Sequence, residues 1–206
     1  MDESPKREKL LVATHNRGKV VEFAEMLADL DVGWLTLDDV GVTTDVAETG
    51  STFRQNALLK ARAYTAETGL LTLADDSGLE VDALDGRPGI YTGRYGGEGL
   101  THGQRYRLLL RQLEDVPWEA RTARFRCVIA LAAPDGTVLA ESEGVVEGMI
   151  ATKPAGEGGF GYDPVFYLPA KGKTMAQLGS AVKHRISHRG RALRALEPRL
   201  RQLLRG

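Results

Sequence analysis

Two adjacent acids, Asp75 and Asp76, follow the apolar run Leu70-Leu-Thr-Leu-Ala74 and lead into Ser77-Gly78. Ligands of α/β proteins collect at the C-terminal ends of strands. Like charges at such a strand end repel, and a divalent cation resolves the repulsion. Mg2+ suits the place, because it takes one or two carboxylates and fills its shell with water and phosphate oxygens. The alternative is an Asx-type turn with one aspartate capping and the other in water. Upstream lies Ala13-Thr14-His-Asn16-Arg-Gly-Lys19, where a strand passes to a helix. The free N–H groups and dipole of a helix start favour phosphate, Thr14 and Asn16 add short polar groups, and Lys19 adds a point charge. This is not a Walker A loop, since the first glycine is missing and Val20 stands where the magnesium-binding Ser/Thr belongs. A capped helix with a surface lysine explains the same residues. Asn56 and Lys60, four residues apart, share a helical face and can point at one ligand near Glu48. The plainer reading of Lys60 is a solvated lysine beside core leucines.

Two further segments complete the chemistry. In Gly158-Gly-Phe160-Gly-Tyr-Asp163-Pro164 an aromatic ring flanked by glycines can lie open for stacking on a base. Asp163, held extended before a proline, can accept hydrogen bonds from a ligand. The competing reading plugs Phe160 into the core. In Lys183-His-Arg-Ile-Ser187-His188-Arg189-Gly190, Ser187 can cap a final helix and put His188 and Arg189 in its first turn. Cations there oppose the helix dipole, which an anionic or carbonyl-bearing partner explains better than a solvated helix start. No His/Cys ligand spacing of a zinc site appears, and no Gly-x-Ser-x-Gly or Ser/His/Asp arrangement stands out.

These residues need elements to place them. A buried strand over Lys9–Thr14 precedes a helix from Lys19 to Leu30, and a weaker strand spans Gly33–Leu37. Thr52 or Ser51 caps a helix over Phe53–Glu67 that stops at Gly69. A strand to Ala74, a turn at Asp75–Gly78 and a second strand over Leu79–Leu84 follow. The helix His102–Glu114 buries Tyr106, Leu109, Leu110 and Leu113. Two long strands, Arg124–Ala133 and Thr137–Met149, join at Pro134-Asp-Gly136. A short strand covers Pro164–Leu168, and a helix from Ser187 carries Leu193, Leu196, Leu200 and Leu203, with a break expected at Pro198. The mixture implies an α/β fold with a mixed sheet and flanking helices in two lobes around a central cleft.

Composition narrows the class. The 206 residues carry 27 Lys/Arg and 28 Asp/Glu, a net charge of −1 that argues against a general nucleic-acid coat. The balance hides a division, because residues 183–206 hold eight basic residues and one acid, Glu197. The 24 glycines exceed the usual fraction, and they cluster: eight between Gly78 and Gly103, four between Gly156 and Gly161. Cys127, alone and inside an apolar strand pattern, reads as a small core residue. No membrane-spanning run and no signal-peptide core is evident, so a cytoplasmic protein is the expectation. Residues 1–8 read as a flexible polar extension and 9–206 as a single catalytic domain.

Taken together, Ala13–Lys19, Glu48-Thr-Gly-Ser-Thr-Phe-Arg-Gln-Asn-Ala57 with Lys60-Ala61, Ala74-Asp-Asp-Ser-Gly-Leu79, Gly89-Ile-Tyr with Arg94-Tyr95, Gly158–Pro164 and Ile186-Ser-His-Arg-Gly190 resemble the inosine triphosphate pyrophosphatase family, from Lys9 to about Leu204. The resemblance implies an elongated mixed sheet, an architecture related to Maf proteins, and a homodimer. It implies Mg2+-dependent hydrolysis of ITP, dITP and XTP to monophosphate and pyrophosphate. Thr14, Asn16, Lys19 and Lys60 would hold the triphosphate, and Asn56 and Ser77 would also bind the substrate. Glu48, Asp76 and Asp75 would serve the metal, Asp76 would be the base for the attacking water, and Lys19 and Lys60 would be catalytic with it. Phe160 would stack on the base, and Asp163, Lys183, His188 and Arg189 would read its edge and sugar.

The chain departs from that family at three places: Gln55 stands where Glu is usual, Ala47 where an acid often precedes Glu48, and Ala181-Val182 where an acidic pair is common. Two rival readings remain. One is a Maf-like pyrophosphatase of pyrimidine or modified nucleotides. The other is a non-catalytic nucleotide- or RNA-binding module using the arginines after Lys183, which leaves Asp75-Asp76 hard to explain.

Overall fold

The computed structural model describes residues 8–30 and 32–204. Of the expected extension at 1–8, residues 1–7 lie outside the described residues. The strands are β1 (Lys9–Val12), β2 (Gly33–Thr36), β3 (Leu71–Val81), β4 (Thr122–Ala132), β5 (Val138–Ile150), β6 (Phe166–Leu168) and β7 (Lys173–Thr174). The α-helices are α1 (Arg17–Met26), α2 (Phe53–Thr68), α3 (His102–Gln112), α4 (Ser180–Ile186) and α5 (His188–Leu203). The strands form one sheet in the order β2-β1-β3-β4-β5-β6-β7, so the mixed α/β expectation holds. The chain divides into two compact units. The first takes Met1–Asp76, Val128–Glu143 and Ala192–Gly206, and the second Ser77–Cys127 and Gly144–Arg191.

In the first unit β1 pairs in parallel with both β2 and β3, with Val12 opposite Thr36 on one side and Leu73 on the other. The chain leaves β1 in one direction through α1 and returns past it through α2. Right-handed crossovers taken in opposite directions put the two helices on opposite faces of the strands. The end of β1 is therefore a topological switch point, the place where α/β sheets bind ligands. Asn16 caps α1 by accepting the Lys19 N–H at 3.2 Å, and Thr52 caps α2 by accepting the Gln55 N–H at 3.1 Å. Helix α1 starts two residues earlier than expected and ends at Met26. The Leu27 N–H still bonds Phe23, and the chain then turns.

The expected turn at Asp75–Gly78 is absent. Residues 71–81 form one continuous strand, and the acidic pair sits in its middle. Sequence pattern suggested a turn because two acids interrupt an apolar run; the structure shows lysines meeting them instead, so the backbone has no reason to leave the sheet. Helix α5 likewise runs through Pro198 without interruption. Proline removes one i to i−4 hydrogen bond, but both Pro198 and Arg194 are exposed, so that carbonyl lies on the solvent side.

The second unit has its own core, in which Leu79, Val81, Leu109, Leu113, Phe125, Ile150 and Phe166 are buried. Tyr106 and Leu110, expected to be buried, are only partly so and pack against it. Thr101 and Gln104 form a reciprocal capping box at the start of α3. β6 pairs antiparallel with β5 and β7. Helix α4 was not expected: its seven residues are too few for an apolar stripe, and Gly179 offers no capping side chain. In the first glycine-dense loop, Gly86, Gly89, Gly96, Gly97 and Gly99 all take positive φ, so this is turning backbone. Cys127 is fully buried, as its strand pattern implied.

Candidate active site

The first unit collects its charges around the middle of β3. Successive strand residues face opposite sides of a sheet. Asp75 accordingly meets Lys19 of α1, with Oδ2 at 2.9 Å from Nζ, while Asp76 meets α2. There Asp76 Oδ1 lies 3.4 Å from Lys60 Nζ and Oδ2 accepts the Asn56 amide at 3.1 Å. Lys60 Nζ also donates to Glu48 Oε1 at 2.6 Å. Asp75, Asp76, Asn56 and Lys60 are all buried. Thr14 and Asn16 stand at the switch point, where Thr14 Oγ1 accepts the Asn16 N–H and no acid occupies the first turn of α1.

Burial raises the Asp76 carboxyl above its ordinary value, and nearby Glu48 adds to this. Lys60 and Lys19 oppose it but do not win. Burial also works against the Lys60 ammonium, yet the charges of Asp76, Asp75 and Glu48 outweigh it and hold Lys60 above its ordinary value. The site therefore contains a carboxylate that accepts a proton more readily than a solvated one, beside a cation that keeps its charge.

Glu48 Oε1 and Asp76 Oδ1 converge on a single cationic nitrogen. That ammonium marks a point where two hard oxygen donors meet a positive charge, and the donor set fits a divalent cation. Asp75 pairs with Lys19, and among the described residues no group of three His, Cys, Asp or Glu side chains that could hold a metal ion is found. Gln55 does not face the pair. Its Oε1 accepts both the N–H (2.7 Å) and hydroxyl (2.9 Å) of Ser51, an acceptor role that a glutamate would fill equally. Asn56 spends both ends of its amide within the protein, accepting the Gly50 N–H at 2.8 Å and donating to Asp76, so it positions these groups.

The second unit gathers a different set. Phe160 is half-buried, with Lys183 Nζ 5.0 Å and the Arg189 guanidinium 5.8 Å from its ring centre, and His102 beside it. Asp163 lies in a turn, not in extended backbone. Its Oδ2 accepts the Phe160 N–H at 2.9 Å and the Lys183 ammonium at 2.6 Å. It shapes the loop and anchors the lysine. Gly159 (φ +71°) must be glycine, because a Cβ there would lie 2.0 Å from Asp163 Oδ2. Ser187 does cap α5, accepting the Gly190 N–H at 3.1 Å. His188 stacks on Phe125 at 4.7 Å with the rings 12° apart, and Arg189, 1 % exposed, donates to Ser77 Oγ at 2.8 Å. Ser77 follows Asp76 directly on β3.

Sequence reasoning missed Tyr64, one turn beyond Lys60 on α2. Its hydroxyl donates to the Thr44 carbonyl at 3.2 Å. The spacing 56, 60, 64 was available as a signal, since the three residues share one helical stripe.

Comparison with known proteins gives one answer. A family model described as the Ham1 family matches residues 10–199. The dITP/XTP pyrophosphatase of Geobacillus kaustophilus is 50% identical over 198 residues, covering 96% of this chain and 97% of that one. The dITP/XTP pyrophosphatase of Thermus thermophilus is 53% identical over 188 residues, 91% and 89% of the two chains. The structure of a HAM1 protein from Coxiella burnetii superposes with a TM-score of 0.85 at 41% identity, covering 95% of this chain and 99% of that one. Among the described residues no helix is long and apolar enough to cross a membrane.

Proposed function

Because the chain belongs to the Ham1 family, we propose that it is a nucleoside-triphosphate pyrophosphatase acting on the non-canonical purine nucleotides dITP, ITP and XTP. Water cleaves the bond between the α and β phosphates, giving the nucleoside monophosphate and pyrophosphate. The observation that carries this reading is the buried Asp76 carboxylate, raised above its ordinary value and set between Lys60 and Asn56.

In this reading Asp76 takes the proton of the attacking water, a role suited to a carboxylate whose basicity burial has increased. Thr14, Asn16 and the start of α1 receive phosphate oxygens, and Lys19 and Lys60 neutralise the charge of the polyphosphate. Glu48 and Asp76 would hold a divalent cation, Mg2+ in our reading, which supplies charge neutralisation at the phosphate oxygens when bound. Phe160 stacks on the purine. Lys183, steadied by Asp163, and Arg189, steadied by Ser77, present donors to a 6-oxo group. Adenine carries a donor at that position, and leaving such a group unpaired costs ~1–3 kcal/mol, about one to two decades of discrimination. The enzyme works in the cytoplasm as a homodimer with a small nucleotide as its partner.

Pyrophosphate release measured with dITP, ITP, XTP, dGTP, dATP and pyrimidine triphosphates in the presence of Mg2+ tests the reading. Fast turnover is expected for the first three alone. Equal rates on every purine would remove the specificity claim, and retention on RNA without pyrophosphate release would remove the catalytic one.

A further inference from the structure

The loop that carries Glu48 has no regular structure, yet it is fastened along its length to one stripe of α2. Asn56 accepts the Gly50 N–H, and Lys60 binds Glu48 itself. Tyr64 donates to the Thr44 carbonyl at 3.2 Å. Glu67 accepts the Thr44 hydroxyl with both oxygens, at 2.8 and 3.0 Å. The helix positions 56 and 60 thus address loop positions 50 and 48, positions 64 and 67 both address 44, and the loop runs antiparallel to the helix. The approach is close: a Cβ on Gly50 would lie 2.6 Å from Asn56 Oδ1 and from Gln55 Cβ.

The Thr44 carbonyl has a second donor. His15 Nε2 lies 3.0 Å from it, and a carbonyl only accepts, so this nitrogen carries the proton. The His15 ring also packs edge-on against Tyr64, with centroids 6.2 Å apart. His15 sits between Thr14 and Asn16. One carbonyl therefore ties the loop at the end of β1 to the loop bearing Glu48, and Tyr64, 1 % exposed, is the fixed member of the joint.

We propose that Tyr64 is a positioning residue for the pyrophosphatase reaction, holding Glu48 in place through the backbone carbonyl of Thr44, with His15 extending the same hold to the Thr14–Asn16 loop. It touches neither nucleotide nor cation. The inference rests on the pyrophosphatase reading and on Glu48 serving the cation.

The decisive variant is Tyr64→Phe, which deletes one oxygen and keeps the packing. Misplacement of a reacting constellation by a fraction of an ångström to an ångström costs up to about a hundredfold. The expected result is a kcat for dITP about tenfold lower, a KM within about twofold, and a several-fold higher Mg2+ concentration at half-maximal rate. Mn2+ binding to the nucleotide-free protein, read by electron paramagnetic resonance, should weaken by a similar factor. His15→Ala, at an exposed position, should lower kcat by a smaller factor, and His15→Gln, whose amide N–H can reach the same carbonyl, should recover it. A Tyr64→Phe protein with a lower melting temperature but wild-type kcat and Mn2+ affinity overturns the proposal, because the hydroxyl then serves stability alone. Glu48→Gln is measured alongside. If it is inactive while Tyr64→Phe is normal, only the positioning role falls. If Glu48→Gln turns over normally, the assignment of Glu48 fails and the proposal falls with it.

Discussion

The two charge clusters are built on opposite plans. In the first unit two lysines, Lys19 and Lys60, meet three carboxylates, Asp75, Asp76 and Glu48. In the second, Lys183 pairs with Asp163, and both Lys183 and Arg189 lie over the Phe160 ring. The first cluster hangs on a central strand and two capped helices. The second hangs on a glycine-rich loop and the start of α5. The difference separates two tasks. A triphosphate carries about four negative charges, and a cluster that is itself negative binds it only together with a multivalent cation. The second cluster, an aromatic ring with two cationic side chains beside it, needs no ion to meet a neutral purine bearing oxo groups. Charge discriminates little between purines, so the proposed function gives chemistry to the first plan and selection to the second.

The largest effect should follow from Asp76→Asn, which removes the base: kcat should fall by about 10²–10⁴. Stability should move the other way. The folded carboxyl is raised above its unfolded value, so the stability it lends is present below the unfolded value and lost as pH rises through the folded one. Near neutral pH the ionised group is a burden, and the asparagine protein should melt no lower than wild type by calorimetry. The acid limb of the pH–rate profile should lie above the ordinary carboxylate range. An inactive, strongly destabilised variant would break the separation of chemistry from folding.

Lys60→Met should follow closely. It leaves Glu48 and Asp76 facing each other without their cation. Removing one partner of a buried pair costs about 3–5 kcal/mol, so both kcat and melting temperature should drop. A stable variant of normal activity would show that the pair needs no ammonium. Next, Phe160→Ala should raise KM for dITP by about ten- to a hundredfold, as expected for ~1–3 kcal/mol of stacking, while kcat at saturation changes little. A selective loss of kcat would blur the two plans into one. The smallest effect belongs to Gln55→Glu, which should change kcat and the Mg2+ requirement by less than about threefold, since either side chain can accept from Ser51.

Much of this was legible in the sequence because it depends on local periodicity. The stripes and caps of α2 and α5, the two long strands and the proline–glycine turn between them need only short-range rules. Asp75, Asp76, Lys60 and Glu48 stood out because charges in apolar surroundings require partners. The partners themselves are long-range. Nothing in the residue order tells that Lys19 lies against Asp75 and Lys60 against Asp76, and without that pairing the acidic dipeptide looked like a turn. Asp163 was misjudged for a related reason. The proline rule describes a dipeptide, while the turn is held by a hydrogen bond from Phe160 and an ion pair from Lys183. Tyr64 and Thr44 escaped notice because their work is done through backbone carbonyls and amides, which carry no sequence signature.

The unbroken course of β3 has a consequence for how such a chain can change over generations. A side chain lost from this strand is one group lost, and a neighbour can adjust. A codon inserted or deleted between Leu71 and Ala74 does something else: it turns every later residue to the other side, so that Asp76 is presented to α1 and Asp75 or Ser77 to α2. Both lysines would still find an acid or a hydroxyl, and the protein could fold, but its chemistry would face the wrong way. Lineages of this enzyme should therefore accumulate length changes in the loops and almost none across residues 71–81, a rule that deletion scanning with a folding reporter and a turnover assay read in parallel would expose.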